Sequence, residues 1–287
     1  MALRRSLEDR VYRWRMARRR GRAFAELRSS GDPTVAAIGR ALEATQAQRL
    51  APEERAWVER IEGLRQALGD SDEVLRTSHS EWTGEEADRD VFRTKPVSLL
   101  ATSVSKPRRW GMLMLKLVRE LQPEGCLELG SCIGISAAYQ AAALELNGGS
   151  GQLVTLEADS NRARVAEANF AELGLEGRVE LRLGRFQETL EPALAERRID
   201  FAFIDGHHQE QPTLEYFERI AAQAPRPAVL LFDDVGERLE GMRRAWRTIC
   251  ADPRVSLAVE VRSLGICVLA DGAAAEPTEP VLCPLFA

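Results

Sequence analysis

The chain has 287 residues, 45% of them hydrophobic, which is enough for one large domain or for a domain with an extension. Its formal net charge of -5 argues against general nucleic-acid binding, and no apolar run reaches the roughly 20 residues that a membrane span needs. Five cysteines without metal-type spacing and the lack of a signal-type apolar stretch lead us to expect a cytoplasmic protein with reduced thiols.

Residues 1–93 predict a helical N-terminal extension. Apolar residues at helical spacing predict three helices, which cover the chain up to Arg28, about 34–49, and Pro52 to about Leu68. Residues 70–94 are polar enough to suggest irregular structure. We expect the extension to close over an active site or to form a homodimer contact. Docking of its arginine-rich first helix on an acidic partner or an anionic membrane surface stays open, as does a merely solvated charged face.

Residues 94–287 alternate strand and helix patterns. Seven apolar runs indicate strands: 125–129, 152–157, 178–183, 199–204, 228–233, 255–262 and 265–270. Five helical patterns lie between them: 134–146, 161–173, 188–197, 212–223 and 239–250. This alternation predicts an α/β fold with a Rossmann-like, doubly wound, seven-stranded sheet. The short link Ser263-Leu264 predicts an antiparallel C-terminal hairpin, and we expect the tail after Ala270 to lie on the surface.

The first of these strands runs into a glycine turn and a helix of small residues. The segment reads Cys126-Leu127-Glu128-Leu129-Gly130-Ser131-Cys132-Ile133-Gly134-Ile135-Ser136. Such a turn is where α/β sheets bind nucleotides, but the spacing of its glycines counts against a dinucleotide-binding oxidoreductase, which is the main rival. Glu128 near the strand tip would repel a pyrophosphate and attract the ammonium group of an amino-acid tail. S-adenosylmethionine carries such a tail, so the segment indicates a methyl donor.

Two later motifs follow in a fixed order. Leu156-Glu157-Ala158-Asp159 ends the second strand, where an acid can accept both ribose hydroxyls, and Gly184-Arg185-Phe186-Gln187 follows the third. With these motifs, the chain from about residue 94 to its end resembles the class I S-adenosylmethionine-dependent methyltransferases, most closely the catechol O-methyltransferase-like and related small-molecule O-methyltransferases. The resemblance assigns Glu128, Gly130 and Ser136 to the methionine half of the cofactor, Glu157 to the ribose, and Ala158, Phe186 and Gln187 to the adenine. It also places a lid at about Thr102 to Lys106.

The fourth and fifth strands both end in aspartate. Asp205 follows one and Asp233-Asp234 the other, so three carboxylates should meet at the carboxyl edge of the sheet. Clustered carboxylates repel one another unless protons or a cation intervene, and Mg²⁺ is the expected ion. The resemblance implies Asp205, Asp233 and Asp234 as its ligands, with Asp205 also at the cofactor. Catechol enzymes have asparagine in place of Asp234, which weakens the inference of a catechol substrate.

His208 lies three residues after Asp205, where the catechol enzymes carry a catalytic lysine. We predict that it removes the proton of an acceptor hydroxyl while the methyl group passes in line to the oxygen. His207 is the weaker candidate base. The alternative is that the histidines only line a loop and that the aspartates cap helices. Trp82, Phe92 and Trp110 are candidates for a substrate pocket or for core packing.

The leading prediction is a metal-assisted O-methyltransferase that acts on a small hydroxylated molecule. Its cofactor would be S-adenosylmethionine, and its metal ion would be Mg²⁺. Two alternatives stay open: a metal-independent N- or O-methyltransferase of the same fold, and a non-catalytic S-adenosylmethionine-binding protein whose helical arm engages a partner.

Overall fold

Three helices and a two-stranded hairpin form the N-terminal part of the protein. The computed structural model describes residues 2–83, 86–236, 238–272 and 278–286, and the side chains of these residues outside 2–14 and 78–91. The first elements are α1 (Ala2–Arg28), α2 (Pro33–Gln46), α3 (Pro52–Gly69), β1 (Val74–Thr83) and β2 (Glu86–Pro96). The three predicted helices are confirmed. The irregular structure predicted over 70–94 is wrong, because β1 and β2 pair antiparallel along their length.

Local chemistry explains where the second and third helices begin. Asp32 caps α2, since its side chain accepts hydrogen bonds from the backbone amides of Thr34 (2.8 Å) and Val35 (3.1 Å). Glu54 accepts a bond from the amide of Ala51 (2.8 Å) at the start of α3. Both helices have proline in their first turn, where a missing N–H costs nothing.

The remaining chain forms the α/β part. Its elements are α4 (Val97–Leu99), a π-helical turn (Leu100–Val104), α5 (Arg108–Leu121), β3 (Gly125–Leu129), α6 (Ile135–Asn147), β4 (Gln152–Glu157), α7 (Ser160–Leu173), β5 (Val179–Leu183), α8 (Phe186–Glu196), β6 (Phe201–Ile204), α9 (Glu210–Gln223), β7 (Ala228–Phe232), α10 (Glu240–Cys250), β8 (Val255–Val261), β9 (Leu264–Leu269) and β10 (Val281–Leu282). Every predicted strand and helix of this part is present, within about two residues. Helix α5 was not predicted from the sequence.

The large sheet has eight described strands in the order β10-β8-β9-β7-β6-β3-β4-β5. Strands β3 to β7 pair in parallel, and β9 runs antiparallel to both β7 and β8, which confirms the doubly wound sheet and its C-terminal hairpin. The eighth strand is β10, which pairs with β8. The tail was expected on the surface, but Cys283 and Leu285 are fully buried, so this expectation is wrong for its last residues.

Alternation along the strands sends side chains into two cores. In β6, Phe201 and Phe203 pack on the face covered by α1 to α3 and α5 to α7, whereas Ala202 and Ile204 pack on the face covered by α8 to α10. The N-terminal helices therefore share a core with the α/β part. A buried ion pair between Glu54 of α3 and Lys116 of α5 adds a polar contact between the two.

The other expectations about the extension are not tested by the structure. The division of the chain at residues 93 and 94 and the homodimer contact stay predictions. Arg20 of α1 donates a hydrogen bond to the backbone oxygen of Pro284 (3.1 Å), so the first helix also contacts the C-terminal tail. Among the described residues, no helix has both the length and the apolarity to cross a bilayer.

Candidate active site

A cavity of about 420 Å³ opens at the carboxyl edge of the parallel strands. It lies where the chain order reverses between β3 and β6, which is the position at which open α/β sheets bind ligands. The loops after β3, β4, β5, β6 and β7 all contribute to its wall, and so does the segment before α5. Its size is in the range of small-molecule sites.

The glycine turn after β3 forms the floor of this cavity. Gly130 has a φ of +100°, and a Cβ atom there would lie 2.3 Å from the backbone oxygen of Asp205. Gly134 has a φ of +83°, and its Cβ would meet the ring of Phe170. Both positions therefore require glycine, for conformation and for space. Ser136, in the first turn of α6, lines the same cavity.

Glu128 is not among the residues that form the cavity wall. The side chain is fully buried and accepts hydrogen bonds from Thr155 Oγ1 (2.8 Å) and Gln140 Nε2 (3.2 Å). Burial raises the pKa of Glu128 to about 8, so the carboxyl group is largely protonated at neutral pH. This differs from the expected charged strand tip, because Gln140 of α6 and Thr155 of the neighbouring strand β4 enclose the carboxyl group. Its contact with a cofactor stays a prediction without direct geometric support.

Glu157 ends β4 and lines the cavity together with Ala158. Its two carboxylate oxygens accept hydrogen bonds from the backbone amides of Cys132 (2.8 Å) and Asp159 (2.9 Å). Burial raises the pKa of Glu157, while Arg162, at 3.9 Å, opposes this shift. The carboxyl group is thus held in one orientation at the cavity wall, where each oxygen keeps further acceptor capacity.

Three rings pack together at one side of the cavity, and two of them form its wall. Phe186 packs edge-on against His207 and Tyr216 with centroid distances of 5.5 and 5.6 Å, and the Tyr216 hydroxyl lies 2.6 Å from His207 Nδ1. Phe186 and His207 line the cavity, as expected for residues beside an adenine ring. Gln187 is exposed and lies outside the cavity wall, because it follows Phe186 on α8 and points to solvent. The structure therefore gives no support to its predicted adenine contact.

The carboxyl edge of β6 and β7 gathers acidic and imidazole side chains. Asp205, Asp233 and His208 each place one donor atom within 4.8 Å of the others. His208 lies between carboxylates, with Nε2 3.7 Å from Asp205 and Nδ1 3.6 Å from Asp234. The structure thus brings the predicted base and all three predicted metal ligands to one place, although Asp234 stands outside the closest group.

Lys106 reaches into this acidic group from the segment before α5. Its ammonium nitrogen contacts Asp233 Oδ2 and lies 3.2 Å from Asp205 Oδ1. Burial by itself would lower the pKa of Lys106, but the charges of Asp205 and Asp233 raise it above its usual value. Burial and the charge of Asp205 raise the pKa of Asp233 to about 6, against the effect of the lysine. The carboxylates of Asp205 and Asp233 thus both interact with the ammonium group of Lys106.

This arrangement bears on the predicted magnesium ion. Asp205, Asp233 and His208 offer the donor types that a divalent cation accepts. The Lys106 ammonium already lies between the two carboxylates, and an ion there would face a like charge. As arranged, the residues fit a single internal ammonium and do not fit an added divalent ion.

Polar atoms of the wall are free to take a ligand. The hydroxyl oxygens of Ser131 and Ser105 are buried without a hydrogen-bond partner among the described residues, and both serines line the cavity. A buried hydroxyl without a partner costs free energy that a bound polar group would recover. With the glycine floor and Glu157, this fits a cofactor that has an amino-acid end and a sugar.

Backbone strain is concentrated at the same place. Four non-glycine residues of the cavity wall have positive φ angles: Cys132 (50°), His207 (60°), His208 (43°) and Asp234 (56°). Such conformations cost free energy and persist where the surrounding structure fixes them, which is common at functional sites. The strain supports the view that the cavity is the functional site.

No motif of the sequence assigned a chemical role to Lys106. The available signal was its rarity, since Lys95, Lys106 and Lys116 are the only lysines among 39 basic residues. Of the aromatic candidates for a substrate pocket, Trp110 is buried beside Phe286, and Phe92 is 55% exposed. Neither lines the cavity, and the side chain of Trp82 lies outside the described residues.

The sequence is similar to known methyltransferases. Residues 127–235 match the model of a family described as a methyltransferase domain. A catechol O-methyltransferase of Niastella koreensis is 34% identical over 135 residues, which are 46% of this chain and 58% of that protein. A catechol O-methyltransferase of Mycobacterium tuberculosis is 32% identical over 125 residues, which are 44% of this chain and 54% of that protein. The matched region thus spans little more than half the length of these curated relatives.

Solved structures resemble the fold over a larger part of the chain. An O-methyltransferase of Bacillus cereus in complex with SAH superposes with a TM-score of 0.55 and 23% identity, over 75% of this chain and 91% of that chain. The O-methyltransferase TomG of Streptomyces achromogenes, in complex with SAM, gives 0.51 and 23% identity, over 59% and 83% of the two chains. These likenesses establish the fold, and the sequence matches are to methyltransferases.

Proposed function

We propose that this protein, whose α/β part is a class I S-adenosylmethionine-dependent methyltransferase domain, transfers a methyl group from S-adenosylmethionine to a hydroxyl group of a small molecule. One observation carries the proposal. A single cavity joins the glycine turn and Glu157, which suit the cofactor, to His208 and Asp205, which suit the acceptor. The donor and a base would therefore meet in one enclosed space.

The cofactor pose follows from the cavity wall. The methionine end would lie over Gly130, where no side chain intervenes, and would use the unpartnered hydroxyl of Ser131. The ribose hydroxyls would donate to Glu157, which the amides of Cys132 in the glycine turn and of Asp159 hold in place. The adenine would pack beside Phe186 and Ala158. This order runs from the strand tips of β3 to those of β5 and puts the sulfonium near Asp205.

The reacting end uses His208 as the base. Its ring lies between the carboxylates of Asp205 and Asp234, which stabilise the imidazolium that forms when it takes a proton. The acceptor oxygen attacks the methyl carbon, the sulfur–carbon bond breaks with its electron pair going to sulfur, and the hydroxyl proton passes to the imidazole. Enclosing both reactants in line supplies much of the rate enhancement.

The magnesium ion expected from the sequence is not part of this proposal. Lys106 lies between two of the three carboxylates that were expected to bind it. N-methylation has no observation of its own in its favour.

Calorimetry with S-adenosylhomocysteine tests the cofactor part, with turnover of labelled S-adenosylmethionine on a panel of phenols and sugars as the second measurement. We expect binding by the wild-type protein and strong loss of binding by Glu157→Ala. Glu167→Ala, which replaces an exposed glutamate of the following helix α7, is the matched control. Binding without turnover on any acceptor would favour a non-catalytic cofactor-binding protein. No binding by folded protein would overturn the proposal.

A further inference from the structure

The positive charge between Asp205 and Asp233 comes from a side chain of the protein, Lys106. Lys106 Nζ contacts Asp233 and lies 3.2 Å from Asp205, while His208 Nε2 lies 3.7 Å from the same Asp205 oxygen. The lysine side chain is only 15% exposed, and the side chains of Asp205 and Asp233 are 16% and 6% exposed. At this burial the interaction is only weakly screened by solvent, in contrast to a surface ion pair.

The backbone around Lys106 is fixed from two sides. Pro107 follows the lysine and restricts it to an extended conformation. Arg65 of α3 donates hydrogen bonds to the backbone oxygens of Ala101 (3.0 Å) and Lys106 (2.6 Å). The segment that carries the lysine is therefore anchored to a helix of the N-terminal extension. A side chain held in this way is positioned in advance of any ligand.

We propose, building on the function proposed above, that Lys106 takes the place of a divalent metal ion in the active site and binds the acceptor oxygen directly. The reaction then needs no metal. It follows that the preferred acceptors are molecules that present a single hydroxyl group, with no requirement for a second hydroxyl beside it.

We expect this substrate class because of the number of hydrogen bonds that an ammonium group can donate. It has three N–H donors, and Asp205 and Asp233 take two of them. The third N–H is left to bind a ligand in the cavity. Lys106 lines this cavity next to Ser105, whose hydroxyl has no partner among the described residues. A divalent ion can coordinate two neighbouring oxygens of an ortho-diol at once, whereas one N–H can hold only one oxygen. Lys106 would stabilise the charge that develops on this oxygen as its proton passes to His208.

Binding of Mn²⁺, followed by electron paramagnetic resonance, tests the proposal without an acceptor. We expect the wild-type protein not to bind Mn²⁺ at this site. Lys106→Ala and Lys106→Met leave two carboxylates without their cation, and we expect them to bind Mn²⁺ at least tenfold more tightly. Adding Asp233→Asn to either variant should abolish that gain. Lys95→Ala, which removes the other lysine of the cavity wall, is the matched control and should behave as wild type.

Wild-type protein that binds Mn²⁺ as tightly as the lysine variants would overturn the proposal, even if one variant fails to fold. Calorimetry with S-adenosylhomocysteine on the same samples separates this result from failure of the proposed function. With an acceptor in hand, EDTA should leave wild-type turnover unchanged, and Lys106→Met should lower it by about 100-fold. Turnover that EDTA abolishes, or that occurs only with ortho-diols, would also overturn the proposal.

Discussion

Arg65, on helix α3, donates a hydrogen bond of 2.6 Å to the backbone oxygen of Lys106, whose ammonium lies between Asp205 and Asp233. The same guanidinium donates to Glu62 (3.1 Å), which also accepts a bond from the Tyr139 hydroxyl of α6 (2.7 Å). The N-terminal extension is thereby connected to the active-site cavity through one arginine.

Replacing Arg65 should loosen the segment that carries Lys106. Arg65→Ala removes both bonds to the backbone oxygens, so we expect faster amide hydrogen exchange over residues 100–106 and weaker binding of S-adenosylhomocysteine. Arg65→Lys should recover only part of the protection, because a single ammonium cannot reproduce the planar fork of a guanidinium. Arg55→Ala, at an exposed position of the same helix, is the control. Unchanged exchange in Arg65→Ala would contradict the anchoring role.

Gly130→Ala should lose both cofactor binding and stability. The new Cβ would lie 2.3 Å from the backbone oxygen of Asp205, and the positive φ adds about 1–3 kcal/mol of strain. Gly174→Ala provides the comparison, since Gly174 has a φ of +67° but no atom within 4 Å of its Cβ position. We expect the control to lose about 1 kcal/mol in urea unfolding and to keep its cofactor affinity. Equal losses in both variants would mean that the close contact at Gly130 has no effect.

The stability of the protein should depend on pH through Glu128. Its pKa is about 8 in the fold against 4.5 for the unfolded chain. Below pH 4.5 both states hold the proton, and the contribution to stability is complete. Between pH 4.5 and 8 only the unfolded chain releases it, so the free energy of unfolding falls by about 1.4 kcal/mol per pH unit.

Glu128→Gln removes this proton and should remove the slope. Urea unfolding of both proteins at pH 5, 6.5 and 8, without cofactor, provides the measurement. We expect the wild-type protein to lose stability relative to the variant as the pH rises through this range. Parallel curves for the two proteins would show that Glu128 is already ionised in the fold.

The two neighbouring histidines should respond differently to substitution. His208→Ala removes the proposed base, so we expect turnover to fall by about 100-fold or more while the affinity for S-adenosylhomocysteine stays that of wild type. His207→Ala removes a ring that packs against Phe186 and contacts Tyr216, so we expect weaker cofactor binding as its main effect. Calorimetry and steady-state kinetics on one acceptor distinguish the two. A larger loss of turnover in His207→Ala would reverse the assignment.

Sequence patterns predicted the α/β part closely, and they did not predict the N-terminal hairpin of β1 and β2. Strands β3 and β4 lie at their predicted bounds because each is a buried apolar run, and parallel strands covered on both faces have that signature. Strand β2 is rich in charged residues, β1 is largely polar, and the two form a separate two-stranded sheet. These strands are held by their pairing with each other. Neither strand has the apolar pattern by which a strand is recognised from its own sequence.

Motifs located the candidate site but did not decide the state of each side chain. Glu157, Ala158 and Phe186 line the cavity, as do the aspartates and His208, because the ends of parallel strands meet at one edge. Glu128 and Gln187 do not line it, although they belong to the same motifs. A motif fixes the position along the chain, whereas burial depends on the neighbouring strands and helices.

The sequence by itself determined the doubly wound sheet, the glycine turn and the edge at which the acidic residues gather, because these follow from local periodicity and from the geometry of parallel strands. Only the tertiary structure decided which positively charged group pairs with these carboxylates. Lys106 and Asp233 are separated by 127 positions, and the contact exists because Arg65 of α3 and Pro107 hold the segment that carries Lys106 at the acidic group. Pairing of buried charges depends on distance in space, about which spacing along a chain carries no information.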